Sequence, residues 1–139
     1  MATKQRKKRT PAEKAELRIA EWKRNDREME SWGSSVNSFT VAGYGLHLSG
    51  LGLKHMPDSL RALPAIEFLH LKNNVIEELP KWIGELSTLK GLNLFENKLR
   101  TLPDEIGSLK NLKLLWLSEN QLEELPERRC ARYHSKKYC

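Results

Sequence analysis

The chain has 139 residues, a net charge of +6 and 39% hydrophobic residues, which is enough for one small folded domain. No apolar run approaches the roughly 20 residues of a membrane span, and the charged N-terminus is not typical of a secretory signal, so neither is expected. Positive charge is concentrated at the ends. Residues 1–10 carry +5 and residues 127–139 carry +4, whereas residues 63–126 carry −3.

The chain begins with a basic run, Lys4–Arg9, within residues 1–10. Such a run is found in nuclear import signals and in nucleic-acid contacts, and also in solvated disordered tails. The run carries few charges, so phosphate attraction would be weak; we predict a disordered tail and do not favour nucleic acid as the partner. Nuclear import stays open as an alternative to a cytoplasmic location.

A helix is predicted to begin at the next residues, where Thr10 and Glu13 have the spacing of a capping box and Pro11 occupies the first helical position. Apolar residues then recur at helical spacing, and Gly33 is a plausible stop. They are Ala12, Ala15, Ile19, Trp22 and Met29. We predict that residues 11–39 form a capping helix and a linker, with Trp22 and Trp32 as the packing residues.

Three copies of a 23-residue unit follow, at 63–85, 86–108 and 109–129, the last of them shortened. Residues 40–62 form a degenerate earlier copy, in which Leu46 and Leu48 keep the pattern and Leu51 replaces an Asn. The matched columns are Leu69, Leu92 and Leu115; Leu71, Leu94 and Leu117; Asn74, Asn97 and Asn120; and the Leu-Pro pairs at 79–80, 102–103 and 125–126. This many matched columns indicates a repeat protein.

Each unit has two halves with different periods. The alternation in Leu92-x-Leu94 predicts a short strand with one buried face, and the later spacing of three and four predicts a helical or 3₁₀ turn. Between them, a buried Asn could bond backbone groups of its own turn and of the neighbouring turn. We therefore predict a structural ladder made of Asn74, Asn97 and Asn120.

These units resemble the leucine-rich repeat family, in the 23-residue form with L-P-x-x-I-G that intracellular Ras-suppressor and Scribble-like proteins and many bacterial proteins have. The resemblance covers roughly residues 40–126. It implies an α/β solenoid of about four repeats with a parallel concave sheet, an N-terminal capping helix and disordered basic termini. The family usually binds another protein, and the resemblance fixes neither partner nor reaction.

The pattern breaks after Pro126, because Arg129 and Arg132 stand where the repeats have Ile and Leu. Residues 127–139 are predicted to be a basic tail, with a truncated relative of a longer protein as the alternative. An uncovered last repeat would allow weak self-association. The two cysteines, Cys130 and Cys139, lie in this tail and not in the cysteine-rich caps of extracellular relatives, which favours a reducing, cytoplasmic location.

No catalytic motif is evident, and we expect no enzyme activity, cofactor, metal or small-molecule substrate. His47 and His70 occupy one column of adjacent strands, roughly 5 Å apart. The next residues in that column are Asn93 and Trp116, so only two ligands are present, short of the usual three or four.

Residues that flank the strand leucines should point out of the concave face. There the aromatic and charged residues predict a site for a partner protein, with packing support between repeats as the alternative role of the rings. The predicted site comprises Phe68, His70, Lys72, Asn93, Phe95, Glu96, Leu114, Trp116 and Glu119. We predict a non-catalytic interaction module in intracellular signalling or scaffolding. The alternatives are the recognition part of a longer enzyme or effector, for example of the ubiquitin-ligase type, and a nucleic-acid-associated protein that acts through its tails.

Overall fold

A computed structural model describes residues 8–29, 45–63 and 66–123 of the chain. The predicted linker, with Trp32 and Gly33, lies outside the described residues, and so do most of the N-terminal tail and all of the C-terminal tail. The predicted domain boundaries therefore stay predictions. No helix in the described ranges is long and apolar enough to cross a membrane.

Helix α1 spans Pro11–Met29. The capping box forms as expected: the Glu13 carboxylate accepts from the Thr10 amide at 2.7 Å, and the Thr10 hydroxyl oxygen accepts from the Glu13 amide at 3.2 Å. Because these contacts satisfy amides that have no partner inside the helix, the helix begins where the sequence predicts. Ala15 and Ile19 are buried in the core, whereas Ala12 is exposed, so the predicted apolar face is one residue too long at its start.

Four short parallel strands form one sheet in the order β1-β2-β3-β4. Their bounds are Leu46–His47 (β1), Phe68–His70 (β2), Gly91–Asn93 (β3) and Leu114–Trp116 (β4). The register pairs Leu46 with Leu69, Leu69 with Leu92, and Leu92 with Leu115, which is one 23-residue period at each step. The predicted α/β repeat solenoid with a parallel sheet is confirmed.

A 3₁₀ helix follows in each of the first three repeats, as the spacing of the second half of the unit predicts. These helices span Asp58–Ala62, Lys81–Glu85 and Asp104–Ser108. Each begins after a proline, whose lack of an N–H costs nothing at a helix start. Each of these helices has one buried residue: Leu60 in the first, Ile83 in the second and Ile106 in the third. The second and third helices pack closely, since a Cβ on Gly84 would lie 2.7 Å from the carbonyl oxygen of Glu105.

Leucine and isoleucine side chains from the strands and the 3₁₀ helices form one continuous core between the two layers. No single repeat could bury these side chains alone, so each repeat depends on its neighbours. Helix α1 closes this core at β1, where Ala15, Ile19 and Trp22 pack against it. At β4 the same columns are less covered: Leu115 and Leu122 are only partly buried.

The repeat asparagines bond across neighbouring turns. The Asn97 side-chain oxygen accepts from the Ile76 amide at 3.1 Å, and its amide donates to the carbonyls of Leu71 and Leu94 at 3.0 and 3.1 Å. Asn74 and Asn120 make the equivalent pair of carbonyl contacts one repeat earlier and later. Asn74 and Asn97 are buried, and Asn120 is partly exposed. Asn74 and Asn97 therefore satisfy backbone groups that are buried away from water.

Candidate functional site

The outer face of the sheet carries three columns of side chains, which we call the concave strip. The first column holds Gly45, Phe68, Gly91 and Leu114; the second, His47, His70, Asn93 and Trp116; the third, Ser49, Lys72, Phe95 and Ser118. The strand leucines between them point into the core. Phe68, Phe95 and Trp116 remain partly exposed and Leu114 is 44% exposed, so the strip keeps accessible apolar surface.

The first column alternates small and large residues. A Cβ built on Gly91 would lie 2.5 Å from Cδ1 of Phe68, and a Cβ on Gly45 would lie 2.8 Å from Cβ of Phe68. Gly91 therefore leaves the room in which the Phe68 ring rests against the neighbouring backbone, and Gly45 leaves room for the Phe68 backbone and the His70 ring. For Phe68 this contact favours the alternative role, packing support between repeats, beside the predicted role in binding.

The second column begins with two stacked imidazoles. The rings of His47 and His70 are 4.3 Å apart at their centroids and nearly parallel, at 2°. Nε2 of His70 is buried and has no hydrogen-bond partner in the described part of the chain. Burial, and secondarily the charge of His47, lower the pKa of His70 below its ordinary value of 6.5. No group of three or more potential metal ligands comes together within the described ranges.

Asn93, the next residue in that column, uses its side chain locally. Its Oδ1 accepts from the Phe95 amide at 3.1 Å, which fixes the chain as it leaves β3. The bond uses one of the two acceptor positions of this oxygen, so Asn93 can still offer a ligand its amide donors and one acceptor position.

In the third column a cation already lies over a ring. Nζ of Lys72 is 5.0 Å from the centroid of the Phe95 ring, which is a cation–π distance. The contact joins the second repeat to the third. Lys72 and Phe95, which are both members of the predicted site, therefore lie side by side. On its other flank Phe95 faces only Ser118, which is small and exposed.

Glu96 and Glu119 lie in the turns that follow β3 and β4. Gly50 and Asn73 occupy the same column in the two earlier repeats, and all four residues form the turn after their strand. Their φ angles lie between 55° and 67°, the left-handed region. Gly50 and Asn73 are the residue types that adopt this region easily, so the column itself held the signal that the sequence reasoning missed. Both glutamates are exposed at the border of the strip.

Comparisons with solved structures identify the fold. A leucine-rich repeat protein of Leptospira interrogans, LIC12759, is similar over 70% of this chain with 36% sequence identity and a TM-score of 0.54. The chain is a leucine-rich repeat protein. The leucine-rich repeat domain of the type III effector XCV3220 (XopL) matches over 91% of the chain at 23% identity and a TM-score of 0.55, which shows the fold.

The leucine-rich repeat chain spans 25% of the Leptospira chain and 51% of the XopL chain. No family model and no curated protein sequence matches it. Leucine-rich repeat folds typically act as interaction scaffolds, and protein binding is their usual role. The concave strip carries partly exposed aromatic rings, which are residue types enriched in protein interfaces.

Proposed function

We propose that this leucine-rich repeat protein is a non-catalytic interaction module that binds a partner protein through its concave strip. The observation that carries the proposal is the cluster of partly exposed Phe95, Leu114 and Trp116 on the outer face of the sheet. Apolar side chains that are grouped and bordered by charge are typical of interfaces, and aromatic residues supply most of the binding energy there. The predicted contacts of Phe68, His70, Lys72, Asn93, Glu96 and Glu119 belong to this proposal.

The test compares partners captured by the wild-type protein and by Trp116→Ala, with Trp82→Ala as the matched control. Trp82 lies in a 3₁₀ helix on the opposite layer, where its Nε1 donates to Asp58 at 3.0 Å. We expect Trp116→Ala to lose at least about 2 kcal/mol of affinity for the captured partner, and Trp82→Ala to keep it. Thermal melting shows that both variants are folded. Equal binding by both would remove the concave strip from the interface.

In a second candidate function, the chain is the part of a longer effector or enzyme that recognises the target protein. This function is favoured by the similarity to the leucine-rich repeat domain of a type III effector, since this chain spans 51% of that domain's chain. Sequencing past the codon for Cys139 tests it, since a reading frame that continues into a further domain would support this candidate.

The basic termini carry two further proposals, although both lie outside the described residues. One is a nuclear instead of a cytoplasmic location through Lys4–Arg9, which a fluorescent fusion with this run neutralised would test. The other is nucleic-acid association, which we do not favour. A filter-binding titration over a range of salt concentrations tests it, because phosphate contacts weaken steeply with salt.

Weak self-association through the C-terminal repeat is also proposed. The exposed large hydrophobic residues of the described chain are Leu114 in β4, at 44%, and Leu17 in α1, at 37%. If copies meet through β4, Leu114→Lys should reduce light scattering at high concentration and Leu17→Lys should not. The opposite pattern would place the contact at the N-terminal helix.

A further inference from the structure

The concave strip and its border differ in charge between the two halves of the sheet. Over β1 and β2 the outward columns and their turns hold Lys72 and the two histidines, and no acid. Over β3 and β4 they hold Glu96 and Glu119 and no cationic residue of their own, although the Lys72 side chain reaches from the second repeat to the Phe95 ring. Neither carboxylate lies within ion-pair distance of a lysine or arginine in the described part of the chain, where the pairs are Arg61–Glu85 and Lys90–Glu67.

The two glutamates are held at matching positions of adjacent turns. The Glu96 amide donates to the Ser118 carbonyl at 3.1 Å, and the Asn97 amide donates to the Glu119 carbonyl at 3.2 Å, so the turns are fixed to each other. Their backbones are therefore about one strand spacing apart, roughly 5 Å. Like charges at that separation repel each other, and a cation placed between them would be attracted by both.

Aromatic residues come shortly before both glutamates in the chain. Phe95 precedes Glu96 in the chain, and Trp116 lies in the strand that leads to Glu119. The Lys72 ammonium lies over one face of Phe95, and on the other flank the ring faces the small, exposed Ser118, where a second side chain can lie. A lysine or arginine fits both features at once, because its charged end suits the carboxylates and its aliphatic stem or guanidinium plane suits the rings.

We propose that the strip over β3 and β4 binds a basic segment of the partner, with one arginine or lysine between Glu96 and Glu119 and its stem against Phe95 and Trp116. This inference rests on the proposed function and adds the chemistry of the partner. Acidic and phosphorylated segments are disfavoured there, since both carboxylates would repel them.

The experiment selects binders from a phage-displayed library of random seven-residue peptides, using the full chain as bait. Parallel selections use Glu96→Gln/Glu119→Gln and, as a control for the rings, Phe95→Ala/Trp116→Ala. Glutamine keeps the size of the side chain and does not ease the left-handed backbone, so stability should change little. A charge control, Glu77→Gln/Glu123→Gln, removes two exposed carboxylates outside the strip.

For the wild type and the charge control, we expect arginine and lysine to be enriched at least threefold over the library, next to an apolar residue. The glutamine variant of the strip should lose this enrichment and bind a selected peptide at least tenfold more weakly at low salt. A pool that depends on the rings and not on the glutamates overturns this inference and leaves the proposed function standing. A pool that is indifferent to both sets of residues overturns both.

Two other occupants of the strip would also show in these measurements. If the basic run of the chain itself lies there, neutralising Lys4, Arg6 and Lys7 would raise the affinity for the selected peptide. If a second copy lies there, the peptide would dissociate dimers in sedimentation runs. Either result would overturn the assignment of the site to a separate partner.

Discussion

The two ends of the solenoid contain the same leucine column in different surroundings. At the first strand Leu46 is 2% exposed, because helix α1 lies against it and places Ala15 and Ile19 in the core. At the fourth strand Leu115 occupies the same column and stays partly exposed, beside Leu114 at 44%. Both positions hold a leucine of the same strand column, so the difference comes from what lies against each layer.

The comparison shows that burial in a solenoid belongs to pairs of neighbours and not to single repeats. The interior leucines Leu69 and Leu92 have a repeat on each side and are fully buried. At the first strand, helix α1 takes the place of the missing repeat and covers the leucines with an α-helix. Two of the accessible rings, Phe95 and Trp116, belong to the third and fourth repeats, toward the less covered end.

The largest expected effect is a direct test of this difference. Leu46→Ala should cost about 2–5 kcal/mol of unfolding free energy, as fully buried leucines do, and Leu115→Ala clearly less, since part of its side chain already meets water. Urea denaturation measures both, and the slopes show whether the transition remains two-state. Equal losses would mean that the last layer is as well covered as the first.

The asparagine ladder offers a second matched pair. Asn97 and Asn120 make the same type of contacts, but Asn97 is 6% exposed and Asn120 is partly exposed. Loss of the side chain leaves backbone groups without partners, at about 1–3 kcal/mol when they are buried. Asn97→Ala should therefore destabilise more than Asn120→Ala, and both more than Asn93→Ala, which loses one contact near the surface. Coincident denaturant midpoints would contradict this order.

The register of the sheet was predictable because a constant period places equal residues side by side. The 3₁₀ helices and the capping box followed from local spacing in the same way. The left-handed turns at Glu96 and Glu119 were not predictable from their own residue type, since glutamate seldom adopts this conformation; the repeat imposes it. The alternation of Gly45, Phe68 and Gly91 was visible in the sequence. That it reflects packing between repeats could be seen only from the position of the Phe68 ring against Gly91.

The capped end has a weakness of its own in the stacked histidines. The pKa of His70 is lowered, so as pH falls below its ordinary value of 6.5 the unfolded chain takes up the proton first. Stability should be unaffected above that value and should fall as pH drops from 6.5 toward the lower folded-state pKa. His70→Asn should remove this part of the pH dependence, and His55→Asn, at an exposed residue of the first repeat, should keep it. The measurement is the unfolding free energy as a function of pH. Parallel curves of this quantity for His70→Asn and for the wild type would contradict the prediction.

The smallest expected effect concerns how the helix is attached. Arg18 donates to the carbonyls of His47 and Ser49 at 3.1 and 3.4 Å, which joins α1 to the free edge of β1. The contact is exposed, so Arg18→Met should cost less than about 1 kcal/mol in thermal melts. Ile19→Ala, which removes buried surface from the same helix, should cost about 2–5 kcal/mol. If the arginine variant lost as much as the isoleucine variant, polar contacts with the strand edge and not apolar packing would hold the cap. The covered end would then differ from the other end by its hydrogen bonds, and the argument from burial would fail.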